Sequence, residues 1–236
     1  MKRSIAVCHS PQMLPLFDLK GKIAVVVDIL RATSCMVTSL ATGVEKVIPV
    51  SKVEEALAYQ GRGPLIAGER GGAKLQGFDL GNSPFEHMNQ VGKAIVMTTT
   101  NGTRAINDAA EAEEVIIGAF LNLSAIKEYL ISKTEDVVVV CAGWKNLYSM
   151  EDTLFAGALV DALGSDWEMD DAALAASTLY RSVEGNILGF MQQASHVKRL
   201  SGLNAEKDLA FCFEHDKFET IPILREGGLY AHNTRN

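Results

Sequence analysis

The stretch Ile23-Ala24-Val25-Val26-Val27-Asp28-Ile29-Leu30-Arg31-Ala32-Thr33-Ser34 decides the fold. Five apolar residues run without polar alternation, which is how a strand buried on both faces reads. The run stops at an acid. Beyond it, Met36, Val37, Leu40 and Ala41 share one helical face before Gly43, a helix terminator. The segment is therefore a buried strand, a polar turn and a helix.

The same unit recurs along the chain. Apolar runs at Val47–Val50, Leu65–Ala67, Ala94–Met97, Val115–Ile117 and Val137–Val140 each precede a polar or Gly-rich turn and a helix-like segment. Leu154, Phe155, Ala158, Leu159, Ala162 and Leu163 form another apolar helical face before Gly164. Strand and helix in alternation predict an α/β fold, a mostly parallel or mixed sheet with helices on both faces. Residues 170–215 read as helices and Thr220–Leu224 as a last strand. The 236 residues form one compact unit, with a division into lobes 1–135 and 136–236 as the alternative.

Composition limits the partners. A net charge of −7 disfavours nucleic acid and anionic membranes, which need a basic face. No apolar stretch reaches the roughly 20 residues of a membrane span. The Ile5–Cys8 run is too short for a signal peptide. Cys8, Cys35, Cys141 and Cys212 form no C-x-x-C pair, which suits reduced thiols and a cytoplasmic location. A homo-oligomer is the expected assembly.

In such sheets ligands gather at the carboxyl ends of strands, and five polar segments lie there. In the first, Asp28 and Arg31 are three residues apart, as suits a Mg²⁺ ligand beside a phosphate clamp. The bland reading has Thr33 or Ser34 capping the helix and Asp28 pairing with Arg31. The second is Gly68-Glu69-Arg70-Gly71-Gly72, another acid–base pair in a loop whose glycines allow close backbone approach. The third is Gly77-Phe78-Asp79-Leu80-Gly81-Asn82-Ser83-Pro84-Phe85-Glu86. Ser83, Pro84 and Glu86 read as a capping box there, which leaves Asp79 and Asn82 unexplained.

The fourth segment, Thr98-Thr99-Thr100-Asn101-Gly102-Thr103-Arg104, opens a helix after a strand. Free N–H groups and hydroxyls there suit an anion, with Gly102 permitting its approach. Neither a P-loop spacing nor a dinucleotide glycine fingerprint is present. In the fifth, small residues at Cys141-Ala142-Gly143 leave room for a ligand ahead of Glu151 and Asp152, although Ser149 and Asp152 also fit a capping box. Cys141 reads as a buried, inert thiol. His196, followed by Lys198 and Arg199 on a helix, is the histidine to watch.

In their order, Asp28-Ile-Leu-Arg-Ala-Thr, Gly68-Glu-Arg-Gly, Gly77-Phe-Asp-Leu-Gly-Asn-Ser-Pro, Thr99-Thr-Asn-Gly-Thr and Cys141-Ala-Gly resemble the 2-phosphosulfolactate phosphatase family. The resemblance runs from Ala24 to Asp152. It continues more thinly through Ser195-His196 and Asp208 to Ile221-Pro222. It implies a Mg²⁺-dependent phosphatase that converts 2-phospho-3-sulfolactate to 3-sulfolactate and phosphate in a route to coenzyme M.

On that basis Asp28, Arg31 and Glu69 are the catalytic candidates. Asp28, with Glu151 or Asp152, is the metal set. A small anionic phosphorylated substrate would be met by Arg70, Asp79, Asn82, Ser83, Thr99, Thr100, Asn101, Gly102, Thr103, Cys141, Gly143, His196 and Arg199. Attack by metal-bound water and formation of an aspartyl-phosphate on Asp28 both remain open. Haloacid dehalogenase-type phosphatases carry a second Asp two residues after the first; Leu30 stands there instead. Rival functions are hydrolysis or lysis of another organic phosphate, and binding of an anionic metabolite without turnover.

Overall fold

The computed structural model describes residues 2–201 and 206–233. The strands are β1 (Arg3–Cys8), β2 (Ile23–Val27), β3 (Lys46–Pro49), β4 (Leu65–Arg70), β5 (Ala73–Lys74), β6 (Ala94–Thr98), β7 (Glu114–Gly118), β8 (Val137–Cys141), β9 (Trp167–Met169), β10 (Thr220–Arg225) and β11 (Gly228–Asn233). The α-helices are α1 (Ala32–Ala41), α2 (Val53–Leu57), α3 (Pro84–His87), α4 (Gly102–Asp108), α5 (Leu123–Ile131), α6 (Met150–Leu163), α7 (Asp171–Val183), α8 (Ile187–Met191), α9 (Ser195–Ser201) and α10 (Glu206–Cys212).

All the strands join one mixed, mostly parallel sheet in the order β5-β4-β6-β3-β11-β10-β7-β2-β8-β1-β9. Strands from either side of residue 135 alternate within it, because β8 lies between β2 and β1. Every residue of β2 and β8 is buried, which explains their unbroken Val/Ile runs: apolar neighbours cover both faces. Helix α6 is also apolar nearly all round and buried along most of its length, as expected of a helix enclosed by packing. It ends at Gly164, whose φ is +74°.

Two parallel blocks, β4-β6-β3 and β7-β2-β8-β1-β9, are joined by the antiparallel hairpin β10–β11. The sequence reading expected one strand at Thr220–Leu224. The second follows a turn at Glu226 and Gly227, which have φ of +49° and +75°. Two left-handed residues in succession make the tight turn whose twist matches paired strands. The hairpin contributes three successive antiparallel pairings, so the two blocks run in opposite directions. Their carboxyl ends nevertheless meet at one cleft, since Asp28 after β2 lies beside Gly102 after β6.

Several expected caps take another form. Arg31 is the N-cap of α1 and neither Thr33 nor Ser34 caps it. Instead Thr33 Oγ1 accepts from Asp28 N, and Ser34 Oγ donates to Ile29 O. Ser83 is the N-cap residue of α3 and Pro84 its first residue, but the Ser83 hydroxyl bonds elsewhere. Glu86 accepts from Gly81 N. Ser149 precedes α6 without a side-chain cap. For Thr33, Ser34, Ser83 and Glu86 another partner has displaced the local bond, whereas the buried Ser149 hydroxyl has no partner.

Candidate active site

A cleft of about 280 Å³ opens where the strand ends converge. Asp28, Arg31, Glu69, Asn82, Thr100, Asn101, His196 and Arg199 line it, together with Leu30, Gly71, Gly72, Trp144, Lys145 and Leu200. Four elements of the cleft come from the two parallel blocks, and α9 brings His196 and Arg199.

Asp28 is buried at the end of β2. Its Oδ1 accepts from Ala32 N at 3.4 Å. Burial, with Glu69 and Glu151 nearby, pushes its carboxyl up to about 6, against the opposing pull of His196 and the Ala32 N–H. Asp28 does not pair with Arg31. The Arg31 guanidinium instead bonds Asp208 through Nη1 and Gly72 O through Nη2, the latter at 3.0 Å.

Glu69 ties two loops together. Its Oε1 accepts from both N and Oγ1 of Thr100 at 2.8 Å, and its Oε2 accepts from Gly72 N at 2.6 Å. That is the bonding of a loop organiser, although the residue lines the cleft.

The Thr99–Thr103 turn is closed on itself. Thr103 N donates to Thr99 Oγ1 and Thr99 N to Thr103 Oγ1, each at 3.2 Å. The Thr103 N–H expected for an anion is therefore occupied. Both threonines are buried, and only Thr100 and Asn101 of this turn reach the cleft. What approaches Gly102 is the Asp28 carboxylate and Ala32 of α1.

Other expected contacts point away. Arg70 donates to Glu69 O at 2.7 Å and Thr98 Oγ1 at 3.0 Å and does not line the cleft. The exposed Asp79 accepts from Ile66 N at 2.8 Å, holding the strand edge rather than a ligand. Ser83 Oγ donates to Asp208 Oδ1 at 2.7 Å. Cys141 is fully buried beneath the cleft, and burial raises its thiol well above the ordinary range. Gly143 has φ of +62° and gives its N–H to Asp152.

Asp152 spans two loops: Oδ1 accepts from Ile29 N at 2.9 Å and Oδ2 from Gly143 N at 3.1 Å. Burial, then Glu151 and Asp28, push its carboxyl well above the usual range. Glu151 is buried behind His196. Its Oε1 is bonded to His196 Nδ1, while Oε2 has no partner. With Nδ1 committed, Nε2 is the His196 ring atom left for a ligand. The ring stacks on Trp144 at 6.1 Å between centroids. Arg199 and Lys145 also lie over Trp144, at 5.0 and 4.6 Å from its ring.

Trp144, Lys145 and Asp208 were missed in the sequence. The first two directly follow the Cys141-Ala142-Gly143 segment, a placement that could have flagged them. Asp208 offered only its place in the thin part of the resemblance.

Donor chemistry is relevant to the implied Mg²⁺. Among the described residues no group of three or more His, Cys, Asp or Glu is arranged to hold a metal ion. Mg²⁺ needs only one or two carboxylates when water and substrate phosphate complete its shell. The raised Asp28 carboxyl and the unpartnered Glu151 Oε2 fit that requirement.

A family model described as 2-phosphosulpholactate phosphatase matches residues 8–227. The chain belongs to a phosphatase family built on a mixed α/β sheet. That family is the 2-phosphosulfolactate phosphatases. A relative from Thermotoga petrophila is 48% identical over 217 residues, covering 91% of this chain and 94% of its own. One from Caldanaerobacter subterraneus subsp. tengcongensis is 45% identical, covering 89% and 90%. One from a Nostoc species is 37% identical, covering 95% and 97%. All three bear the name "Probable 2-phosphosulfolactate phosphatase".

Proposed function

We propose that this chain hydrolyses 2-phospho-3-sulfolactate to 3-sulfolactate and inorganic phosphate, with Mg²⁺, in a cytoplasmic route to coenzyme M. One observation carries the substrate reading. The cleft gathers three cationic side chains, Arg31, Lys145 and Arg199, together with the buried Asp28. The substrate carries three anionic groups: phosphate, sulfonate and carboxylate. The names of the relatives support the same reading.

Asp28 and Glu151 would hold the metal, which supplies charge neutralisation at the phosphoryl oxygens. Arg31 and Arg199 bind and orient the anionic groups. Thr100 and Asn101 close the side of the cleft, and Glu69 keeps that wall in place. His196, oriented by Glu151 and Trp144, offers Nε2 to the ester oxygen that becomes the hydroxyl of the product. Asp152 holds the Ile29 and Gly143 loops in register around these groups.

The test is phosphate release from synthetic 2-phospho-3-sulfolactate and from analogues lacking the sulfonate. Release is expected to favour the sulfonated ester, to stop in excess chelator and to return with Mg²⁺. Equal turnover of the analogues overturns the substrate. Undiminished turnover in chelator overturns the metal, and binding without release overturns catalysis.

A further inference from the structure

Arg31 stands between two spaces. It lines the 280 Å³ cleft and also a neighbouring cavity of about 640 Å³, and Asn82 and Gly72 share that position. An arginine in such a partition has room to swing either way unless something holds it. Its anchor is Asp208 of α10, which lines the outer cavity.

We infer that Asp208 is a positioning residue that fixes the Arg31 guanidinium for anion binding in the cleft. The inference rests on the proposed phosphatase reading, in which Arg31 binds an anionic group of the substrate. Both side chains of the pair are almost fully buried, at 8% and 9% exposure. The Asp208 oxygens are divided: Oδ2 takes Arg31 and Oδ1 takes Ser83 Oγ at 2.7 Å. Ser83 precedes α3, so the carboxylate is itself held by a second element through its other oxygen. Gly72 O takes the second guanidinium nitrogen at 3.0 Å.

A guanidinium has five N–H donors in a planar fork. Two are spent on Asp208 and Gly72 O, and these two contacts define the plane. The remaining donors are presented as a set whose direction the protein has chosen before any ligand arrives. Pre-organisation of this kind lowers the ordering cost of binding. The pair also solves a charge problem, since a buried guanidinium without a counter-charge is costly. Asp208, which lines the outer cavity, supplies that charge.

Asp208→Asn tests this. Asn preserves the side-chain size and an oxygen for Ser83 but removes the charge that holds Arg31. Dissociation constants for inorganic phosphate, KM and kcat for the phosphate ester, and thermal stability are measured on the same preparations. The expected result is a roughly 10- to 100-fold rise in KM and in the phosphate dissociation constant, the effect of one lost charge-assisted hydrogen bond. The fall in kcat should be smaller, and Asp208→Glu should recover part of the affinity. A variant with lower melting temperature but unchanged KM and phosphate affinity overturns the inference, because it makes the pair merely structural. Failure of the wild-type protein to bind phosphate or release it from any ester would instead overturn the functional reading.

Discussion

Gly102 packs against the Asp28 carboxylate with no room for a side chain. A Cβ at Gly102 would lie 2.8 Å from Asp28 Oδ2 and 2.6 Å from the Ala32 Cβ. Neither neighbour is free to yield, since Asp28 ends a buried strand and Ala32 begins α1. The carboxylate's position therefore depends on a residue from the other parallel block. Gly102→Ala should displace Asp28, lowering kcat/KM by on the order of 10- to 100-fold and stability by about 1–3 kcal/mol. Steady-state rates and denaturant unfolding check both. Full activity in a correctly folded variant would mean that Asp28 is not needed where the structure holds it.

Asp28 should also cost the metal-free protein stability. Its folded value of about 6 lies above the ordinary 3.8, so the folded state binds the proton more tightly. Stability from this group is thus greatest when it is protonated. It falls as pH rises through the window from 3.8 to about 6, then stays low. Asn cannot ionise, so metal-free Asp28→Asn should exceed wild type at neutral pH by roughly 2–3 kcal/mol. The gap should close as pH falls through that window. The same variant should have no measurable turnover. Denaturant melts in chelator across the pH range, with rate assays in Mg²⁺, give both readouts; a variant less stable than wild type at neutral pH contradicts the first.

The legible part of the molecule was what repeats locally. β2, β4, β6, β7 and β8 coincide with the Val/Ile runs, because burial on both faces leaves a continuous apolar signature; β3 overlaps such a run although its alternate residues are only partly buried. β9 has only three residues, and Leu229, Tyr230, Ala231 and His232 in β11 mix apolar and polar types, so these strands carry no such run. For the site, the rule that ligands sit at strand ends brought Asp28, Arg31, Thr100 and Asn101 to notice, and the cations that follow it on a helix singled out His196; all line one cleft. It could not tell which polar residues would turn inward. Arg70 and Asp79 found backbone or hydroxyl partners at the strand edge. The Arg31 partner, Asp208, lies 177 residues away in sequence. No local pattern encodes a contact of that range.

Glu151 and Asp152 are adjacent in sequence but should respond oppositely to neutralisation. Each Asp152 oxygen already accepts a backbone N–H, from Ile29 and from Gly143. Asn has one oxygen, so Asp152→Asn turns an NH₂ toward one of those donors and leaves a buried N–H unsatisfied. The loss in stability should be about 1–3 kcal/mol, with little change in the Mg²⁺ concentration needed for half-maximal activity. Glu151 has one oxygen on His196 and one with no partner. If the free oxygen serves the metal, Glu151→Gln should raise that Mg²⁺ requirement at least about tenfold, as the loss of one charge-assisted ligand implies. Its stability should change less, because no backbone N–H depends on it. Titrating Mg²⁺ against activity, and denaturant against fluorescence, separates the two variants. A Mg²⁺ requirement that rises in Asp152→Asn and not in Glu151→Gln would exchange the two roles: Asp152 would be the ligand and Glu151 the support for His196.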